Sequence, residues 1–238
     1  MQTAYLAATV NRAAFPVYTK VVSDRSQLNT LYINVMTSIS SIAWPAGIGV
    51  AAVSAPLVNV FLGAQWSDSI PLVSILALSG TLLALNSNAG YVFLALGNPR
   101  ISAMVSVLRL SILLPSLILL SSYYGVIGAA SAVLFTSSMN FIITNMIIIF
   151  KLGVRSNSII FIHSRYLFSS MLMFFFIQIF IEKLSYKFES DIYLLIVEVS
   201  IGLLAYTLSL IIIFLITGNS KGVDGAILSK IRKKFRDT

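Results

Sequence analysis

Six apolar stretches, each about long enough to cross a bilayer, constrain this chain more than any other feature. A helix needs about 20 apolar residues to cross the hydrocarbon core. The stretches are Leu31–Val53, Pro71–Leu96, Ile101–Leu120, Gly125–Phe150, Tyr166–Ile181 and Ile192–Ile216. No water solvates backbone amides inside lipid, so helices are the viable form here. The sequence therefore predicts an all-α, polytopic transmembrane helix bundle with six full spans.

Positive charges fall in alternate gaps between these stretches. Twelve of the 16 Lys and Arg residues lie before the first stretch, between the second and third, between the fourth and fifth, or after the last. They are Lys20, Arg25, Arg100, Lys151, Arg155, Arg165, Lys221, Lys230, Arg232, Lys233, Lys234 and Arg236. Short loops rich in Lys and Arg stay cytoplasmic. The pattern predicts a multi-pass membrane protein with a cytoplasmic C-terminus.

The composition argues against several other classes. Charged residues make up 10% of the chain, against about 25% in soluble domains. The net charge of +8 is spread over the predicted cytoplasmic loops and the tail, so we expect no nucleic-acid partner. The chain contains no cysteine, which excludes disulfides and cysteine-ligated metals. No cofactor, metal site or catalytic residue is predicted.

Proline divides the chain into two regions. All six prolines lie in the first half, and Pro45 and Pro115 fall inside predicted spans, where proline bends helices. Bent helices mark the moving, substrate-facing parts of transporters, although membrane helices in general tolerate more Gly and Pro. We expect core transporter helices in 1–150, a peripheral helix pair in 151–218 and a basic cytoplasmic tail in 219–238. Within the tail, Ile227–Phe235 forms either a short amphipathic helix or a solvated segment.

The first 19 residues look helical but are unusual as a beginning. The segment carries Asn11, Arg12 and Pro16, and the following Lys20 and Arg25 set its far end on the cytoplasmic side. Residue 1 then lies inside the membrane or at its outer face. We expect a partial span that follows upstream helices of a longer transporter.

The order of apolar, proline and glycine positions resembles one family over about residues 10–135. Phe15-Pro16 closes a helix, and Asp24, Leu28 and Tyr32 lead into the next, which contains Pro45. There follow Ala55-Pro56-Leu57-Val58, Phe61-Leu62-Gly63, Trp66, Pro71-Leu72, Leu76-Ala77 and Leu94-Ala95-Leu96-Gly97-Asn98-Pro99. This order is similar to the C-terminal part of a polysaccharide transporter family protein. Such proteins are flippases for lipid-linked oligosaccharides, in the exporter superfamily that also holds multidrug antiporters and the lipid II flippase.

The resemblance implies a two-lobed bundle with a central cavity and alternating access. It implies a transporter of the bacterial inner membrane, not an enzyme, that moves a lipid-linked oligosaccharide for polysaccharide, O-antigen or lipopolysaccharide biosynthesis. Its partners would be that substrate, the lipid bilayer and a missing N-terminal lobe of the same protein. Because the cavity forms between lobes, this chain would need the other lobe to work.

Two arginines inside predicted helices are the leading candidates for substrate binding. A charged group at the bilayer centre is costly, so it usually faces a cavity or a partner. Arg109 leans toward the cytoplasmic end of its helix, so snorkelling is an equal alternative. Arg12 leans away from that surface, which favours a cavity role. A guanidinium is a bidentate, always charged partner for the pyrophosphate of the implied substrate.

Neutral polar residues near mid-span form a second candidate group. They are Asn86, Ser87 and Asn88 in one helix, Ser137, Ser138, Asn140 and Thr144 in another, and Asn11 beside Arg12. Such groups bind sugars, but they also hydrogen-bond helices to one another, which is the commoner role. The predicted substrate-binding set is Arg12, Arg109, Asn11, Asn86, Asn88 and Asn140. We expect Glu198 to snorkel outward and His163 to be solvated in a basic loop.

Three other functions stay open. A drug or cation antiporter of the same superfamily needs a membrane-embedded acid in the bent helices, and residues 26–67 and 69–181 contain none. A membrane-embedded polysaccharide polymerase or acyltransferase needs a base or nucleophile near the interface, usually in a sizeable loop, and the predicted outer loops are short. A structural membrane subunit is also open, because the other lobe of the implied transporter is missing from this sequence.

Overall fold

The computed structural model describes residues 2–184 and 190–217, and within these residues all regular structure is helical. The α-helices are α1 Gln2–Val21, α2 Arg25–Ala52, α3 Ser54–Phe61, α4 Ile70–Ala95, α5 Pro99–Leu152, α6 Ser156–Leu184 and α7 Asp191–Thr217. A short 3-10 helix, Ala64–Ser69, precedes α4. The predicted all-α fold is confirmed for this part of the chain. The predicted tail, with Ile227–Phe235, lies outside the described residues.

Local sequence sets several helix ends. The Asp24 carboxylate accepts hydrogen bonds from the backbone N–H groups of Ser26 and Gln27 and so caps the start of α2. Gly153 takes a left-handed conformation (φ 68°) that ends α5. Gly97 (φ 69°) makes the turn between α4 and α5, as its position before Asn98 and a proline predicts.

The helix α5 is too long to cross a bilayer straight. Its 54 residues would extend about 81 Å, whereas the hydrocarbon core is about 30 Å thick. At Gly125 the backbone leaves the helical region (φ 59°, ψ −136°). A Cβ atom on Gly128 would overlap the carbonyl oxygen of Leu120, so the residues after the bend lie against the turn before it.

Both ends of α5 contact one buried cluster. Ile101, near its start, packs against the same buried cluster that contains Ile148 and Leu152 at its end. We therefore describe α5 as two antiparallel arms, 99–124 and 126–152. These arms correspond to the third and fourth apolar stretches of the sequence.

The helices α2 and α4 form the centre of the bundle. α4 packs against α1, α2 and α5, α2 also packs against α1 and α6, and α7 packs against α6 and α3. A Cβ atom on Gly47 of α2 would overlap the Thr81 hydroxyl of α4, which shows how closely these two helices approach. One buried cluster joins α1, α2, α4, both ends of α5 and the start of α6, and a second joins α2, α6 and α7.

Five helical segments are long and apolar enough to cross a membrane, by length and composition. They are Arg25–Ala52, Ala64–Ala95, Pro99–Leu152, Ser156–Lys183 and Asp191–Ile213. The third contains both arms of α5. How many crossings these segments make, and the partial span assigned to α1, stay predictions.

The expected position of His163 was wrong. α6 begins at Ser156 rather than near Tyr166, so His163 lies within a helix and is 8% exposed. Trp44 Nε1 donates a hydrogen bond to His163 Nδ1 at 3.4 Å, and the Phe141 ring meets the imidazole edge to face at 4.9 Å between centroids. The polar residues of this segment resemble a loop in sequence, but apolar residues between them form a buried stripe that extends the helix.

The expected snorkelling of Glu198 was also wrong. The residue is 0% exposed, and its carboxyl oxygens have no hydrogen-bond partner among the described residues. One turn further along α7, Gly202 lets the backbone approach Ile177 of α6. Gly202 is four residues after Glu198, so this close packing lies on the side of α7 that carries Glu198.

Candidate functional site

One end of the bundle collects exposed cations from three connections. Lys20 and Arg25 flank the α1–α2 turn, Arg100 follows the α4–α5 turn, and Lys151 and Arg155 flank the α5–α6 turn; all are exposed. We call this the basic end.

Two contacts tie the α1–α2 and α5–α6 connections together. An Arg25 guanidinium nitrogen donates to the Lys151 carbonyl. Asn29 Nδ2 donates to the Leu152 carbonyl at 3.1 Å. The alternating charge pattern of the sequence thus becomes one surface of the folded chain.

The six predicted site residues lie at similar depths from the basic end. Counted from the helix ends there, they are 7 to 12 residues into their helices, which is about 10–18 Å of rise. The set is Arg12, Arg109, Asn11, Asn86, Asn88 and Asn140. A hydrocarbon core is about 30 Å thick, so these side chains form a layer near its middle. We call this the polar layer.

Two of the predicted asparagines join α1 to α4. Asn11 is fully buried, and its Nδ2 donates to Ser87 Oγ at 2.7 Å. The Tyr18 hydroxyl donates to Asn88 Oδ1 at 2.8 Å, and both residues are 0% exposed. These bonds connect residues about 70 positions apart in sequence. We call this contact the α1–α4 seam.

The two arginines have different surroundings. Arg12 is exposed and, as the residue after Asn11, lies about 100° around α1 from the seam. Arg109 is half-buried and shares one side of arm 99–124 with Val105 and Ile112, while the opposite side is apolar and exposed. Counted from the basic end, Arg109 is ten residues into its helix, and Arg12 and Asn86 are nine residues into theirs, so the three lie at about one depth.

Several buried polar atoms in the polar layer or beside it have no hydrogen-bond partner among the described residues. Both amide atoms of Asn86 are in this group, as are the Oγ atoms of Thr136, Ser137 and Thr144 on arm 126–152. Asn140, on the same buried side of that arm, is 8% exposed. We call Thr136, Ser137, Asn140 and Thr144 the hydroxyl face. Buried polar groups without a protein partner are where a water or a bound solute is expected.

One set of polar residues on α2 was not predicted from the sequence. Thr30 and Asn34 are exposed, and Ser38 on the same side is half-buried. Their spacing of four residues is visible in the sequence, but only the structure shows that this side of α2 is uncovered. Tyr18 was likewise not predicted as the partner of Asn88.

Hydrogen bonds shift the pKa of Asp24, which lies outside the predicted spans. Hydrogen bonds from the backbone N–H of Gln27 at 3.1 Å and of Ser26 at 2.9 Å lower the pKa of its carboxyl from the ordinary 3.8. Gln27 Nε2 adds a third bond at 2.9 Å.

Metal binding was not predicted from the sequence. In residues 2–184 and 190–217, no three His, Asp or Glu side chains are close enough to hold an ion. That the protein needs no metal or cofactor stays a prediction.

Comparison with known proteins gives partial matches along the chain. A family model described as "Polysaccharide biosynthesis protein" matches residues 1–71. The lipopolysaccharide biosynthesis protein WzxC of Escherichia coli (strain K12) is 24% identical over 140 residues, which are 59% of this chain and 28% of WzxC. The teichuronic acid biosynthesis protein TuaB of Bacillus subtilis (strain 168) is 30% identical over 88 residues, 37% of this chain and 18% of TuaB. These matches span less than a third of either relative.

A solved structure is similar over most of the chain. The lipid II flippase MurJ, in an inward closed conformation, superposes with a TM-score of 0.67 at 17% identity. The match covers 90% of this chain and 44% of MurJ. At this identity the likeness establishes the fold. The resemblance to the polysaccharide transporter family that the sequence predicts is thus confirmed over part of the chain, on a fold shared with a flippase.

Proposed function

We propose that this chain belongs to a transporter that moves a lipid-linked oligosaccharide across a bacterial inner membrane for polysaccharide or lipopolysaccharide biosynthesis. The observation that carries the proposal is the polar layer: guanidinium and amide side chains lie at mid-depth in a bundle with the MurJ fold. Polar groups at that depth are costly unless they face water, a solute or one another.

The two arginines and the amides have different roles in this proposal. Arg12 and Arg109 bind the negatively charged pyrophosphate of the substrate, since a guanidinium stays charged and donates two parallel hydrogen bonds. Asn86 and Asn140 hydrogen-bond sugar hydroxyls. Asn11 and Asn88 support the site by holding α1 against α4 through the seam.

The transporter in this proposal has a second lobe and works without covalent chemistry. The chain matches 44% of the MurJ chain, and an alternating-access cavity needs a surface on each side.

The basic end faces the cytoplasm, as does the C-terminus, because Lys- and Arg-rich connections stay on that side. A cysteine at Asn157 is then labelled only from inside the cell, and one at Gln65 only from outside; the reverse result would contradict this orientation.

Complementation of a flippase-deficient strain tests the function. The full-length gene should restore surface polysaccharide, and Arg12→Ala and Arg109→Ala should abolish it while membrane levels of the protein stay unchanged. Arg155→Ala, an exposed cation at the basic end, is the matched control and should behave like the wild type. Normal polysaccharide in both arginine variants would remove the proposed site.

One observation favours a second function, drug or cation antiport. Glu198 is a fully buried carboxyl without a partner among the described residues, and such an acid is what an antiporter uses to exchange its cation. Loss of drug resistance in Glu198→Gln, with normal surface polysaccharide, would support the antiporter. Restoration of polysaccharide by the wild type, with no change in drug resistance, would support the flippase.

A further inference from the structure

One side of α2 changes character midway along the helix. From the basic end, its exposed positions are Gln27, Thr30 and Asn34, followed by the half-buried Ser38 and then by Ile42, which is 45% exposed. The positions are three or four residues apart, so they lie on one side of the helix. The side is polar from the basic end to mid-depth and apolar beyond it.

On this side of α2, the Asn34 side chain has no hydrogen-bond partner in its own helix. The hydroxyl of Thr30 donates to the Ser26 carbonyl at 3.0 Å, and that of Ser38 donates to the Asn34 carbonyl at 2.9 Å. Such bonds let hydroxyl groups lie in apolar surroundings. The Asn34 carboxamide makes no side-chain hydrogen bond to any described residue, and an unpaired amide among acyl chains is strongly unfavourable.

Asn34 lies at the depth of Arg12. Arg12 is nine residues before the end of α1 at Val21, and Asn34 is nine residues after the start of α2 at Arg25. The two helices are neighbours joined by a three-residue connection, so both side chains lie about 14 Å from the basic end. Both are exposed.

The outer side of arm 99–124 differs at the same depth. Val107 and Leu110 there are 63% and 54% exposed, as expected for a surface that faces lipid. Ser106 and Ser111 are also exposed on this arm, but their hydroxyls donate to the Ser102 and Val107 carbonyls of their own helix, at 2.9 and 3.0 Å. At this depth the exposed side chains that need a partner outside their own helix are Arg12 on α1 and Asn34 on α2. This contrast indicates that the exposed sides of α1 and α2 face something other than acyl chains.

We propose that Asn34 contacts the saccharide of the transported molecule, on the wall of a water-filled cavity that opens at the basic end. This inference rests on the proposed function for the identity of the cargo. The neutral amide offers a donor and an acceptor to sugar hydroxyls. Arg12, at the same depth on the neighbouring helix, provides the positive charge for an anionic group. The polar side ends at Ile42, so the wall extends from the basic end to about the middle of the bilayer.

Cysteine labelling in the full-length protein tests the cavity without requiring transport. This chain contains no cysteine, so Asn34→Cys and Val107→Cys each introduce one thiol into it at matched depth, in a full-length protein whose other lobe has first been cleared of any cysteine. A charged methanethiosulfonate reagent should modify Asn34→Cys in inside-out vesicles and leave Val107→Cys unmodified. If Asn34→Cys folds poorly, Ser38→Cys, nearly isosteric and on the same side, gives the same test. An unmodified thiol at Asn34 and at Ser38 would mean that another helix or lipid covers α2, and would overturn the inference.

Complementation then tests the contact with the cargo. Asn34→Leu should lower surface polysaccharide at least tenfold at unchanged membrane level, and Asn34→Gln should retain part of it because it keeps the amide. Normal polysaccharide in Asn34→Leu would overturn the contact. Failure of the wild-type gene to restore polysaccharide would instead remove the proposed function, and the labelling result would still report on the cavity.

Discussion

The α1–α4 seam and the hydroxyl face are two polar surfaces inside one bundle, and they are built differently. In the seam, Asn11 and Tyr18 donate to side chains of α4 at 2.7 and 2.8 Å. On the hydroxyl face, Thr136, Ser137 and Thr144 are equally buried, yet their hydroxyl oxygens have no partner among the described residues. Each seam asparagine is bonded across the helices through one amide atom, while its other amide atom, Asn11 Oδ1 or Asn88 Nδ2, has no partner among the described residues. The three hydroxyl groups of the hydroxyl face make no such bond between helices.

This difference distinguishes two roles that residue type alone does not distinguish. A polar side chain bonded across two helices holds them together, and membrane proteins commonly use it so. A buried polar atom without a protein partner is where water or a solute is expected to bind. On this basis the seam is structural, whereas Asn86 of the polar layer and the hydroxyl face beside it are left for a ligand.

The largest expected effect concerns the bend that brings the hydroxyl face into the bundle. Gly128→Ala should destabilise the protein by about 3 kcal/mol, because its Cβ would overlap the backbone carbonyl of Leu120, which cannot move without opening the bend. The measurement is the yield of monodisperse protein and its thermal unfolding midpoint in detergent. Gly90→Ala is the control, since a Cβ there meets no atom within 4 Å. Equal stability of the two variants would mean that the arms do not pack as described.

A smaller loss should follow when the seam is broken. Tyr18→Phe removes the donor to Asn88 and keeps the ring, so we expect a loss of about 0.6–1.7 kcal/mol, the range of side-chain hydrogen bonds between membrane helices. A double-mutant cycle with Asn88→Ala, read by thermal unfolding in detergent, isolates the pair. A coupling energy of zero would show that the seam does not hold α1 to α4.

Removing a hydroxyl from the other surface should have the opposite outcome. Thr144→Val keeps the shape of the side chain and deletes an oxygen that has no partner among the described residues. The free energy of unfolding should stay equal or rise, by at most about 1 kcal/mol, while surface polysaccharide in the complementation assay falls. If Thr144→Val loses as much stability as Tyr18→Phe, the hydroxyl is bonded and the two surfaces are alike.

The sequence predicts those features that depend on nearby residues. The helical class, the basic connections and the turn at Gly97 follow from hydropathy, charge and local backbone preference, which short stretches specify. The start of α6 was misjudged because Ser156, His163 and Arg165 make its first turns look like a loop. Its apolar residues, such as Ile159 and Ile162, bury a stripe with helical spacing that outweighs this polarity.

Which asparagine is bonded and which is free was not predictable, because the answer depends on residues far away in sequence. Asn11 meets Ser87 across 76 positions. Asn86, next to Ser87, faces another side of α4 and finds no partner among the described residues. The polar layer itself was predictable from depth along each helix. Which polar residues form the seam and which form the hydroxyl face depends on the packing of α4 between α1 and α5.

The smallest expected effect lies at the edge of the seam, where Asp24 caps α2 just after the end of α1. Hydrogen bonds to the carboxylate lower the pKa of Asp24 in the folded protein from the ordinary 3.8, so its charged form stabilises the fold above that pH. This contribution is lost as the pH falls through the lower, folded-state pKa. Asp24→Asn keeps a capping oxygen but does not titrate. The unfolding midpoint of the wild type should therefore slightly exceed that of Asp24→Asn at pH 6, and the gap should shrink below pH 3.8. A gap that does not change with pH would mean that the cap acts through geometry alone, and that the charge of Asp24 does not help to fix α2 beside the seam.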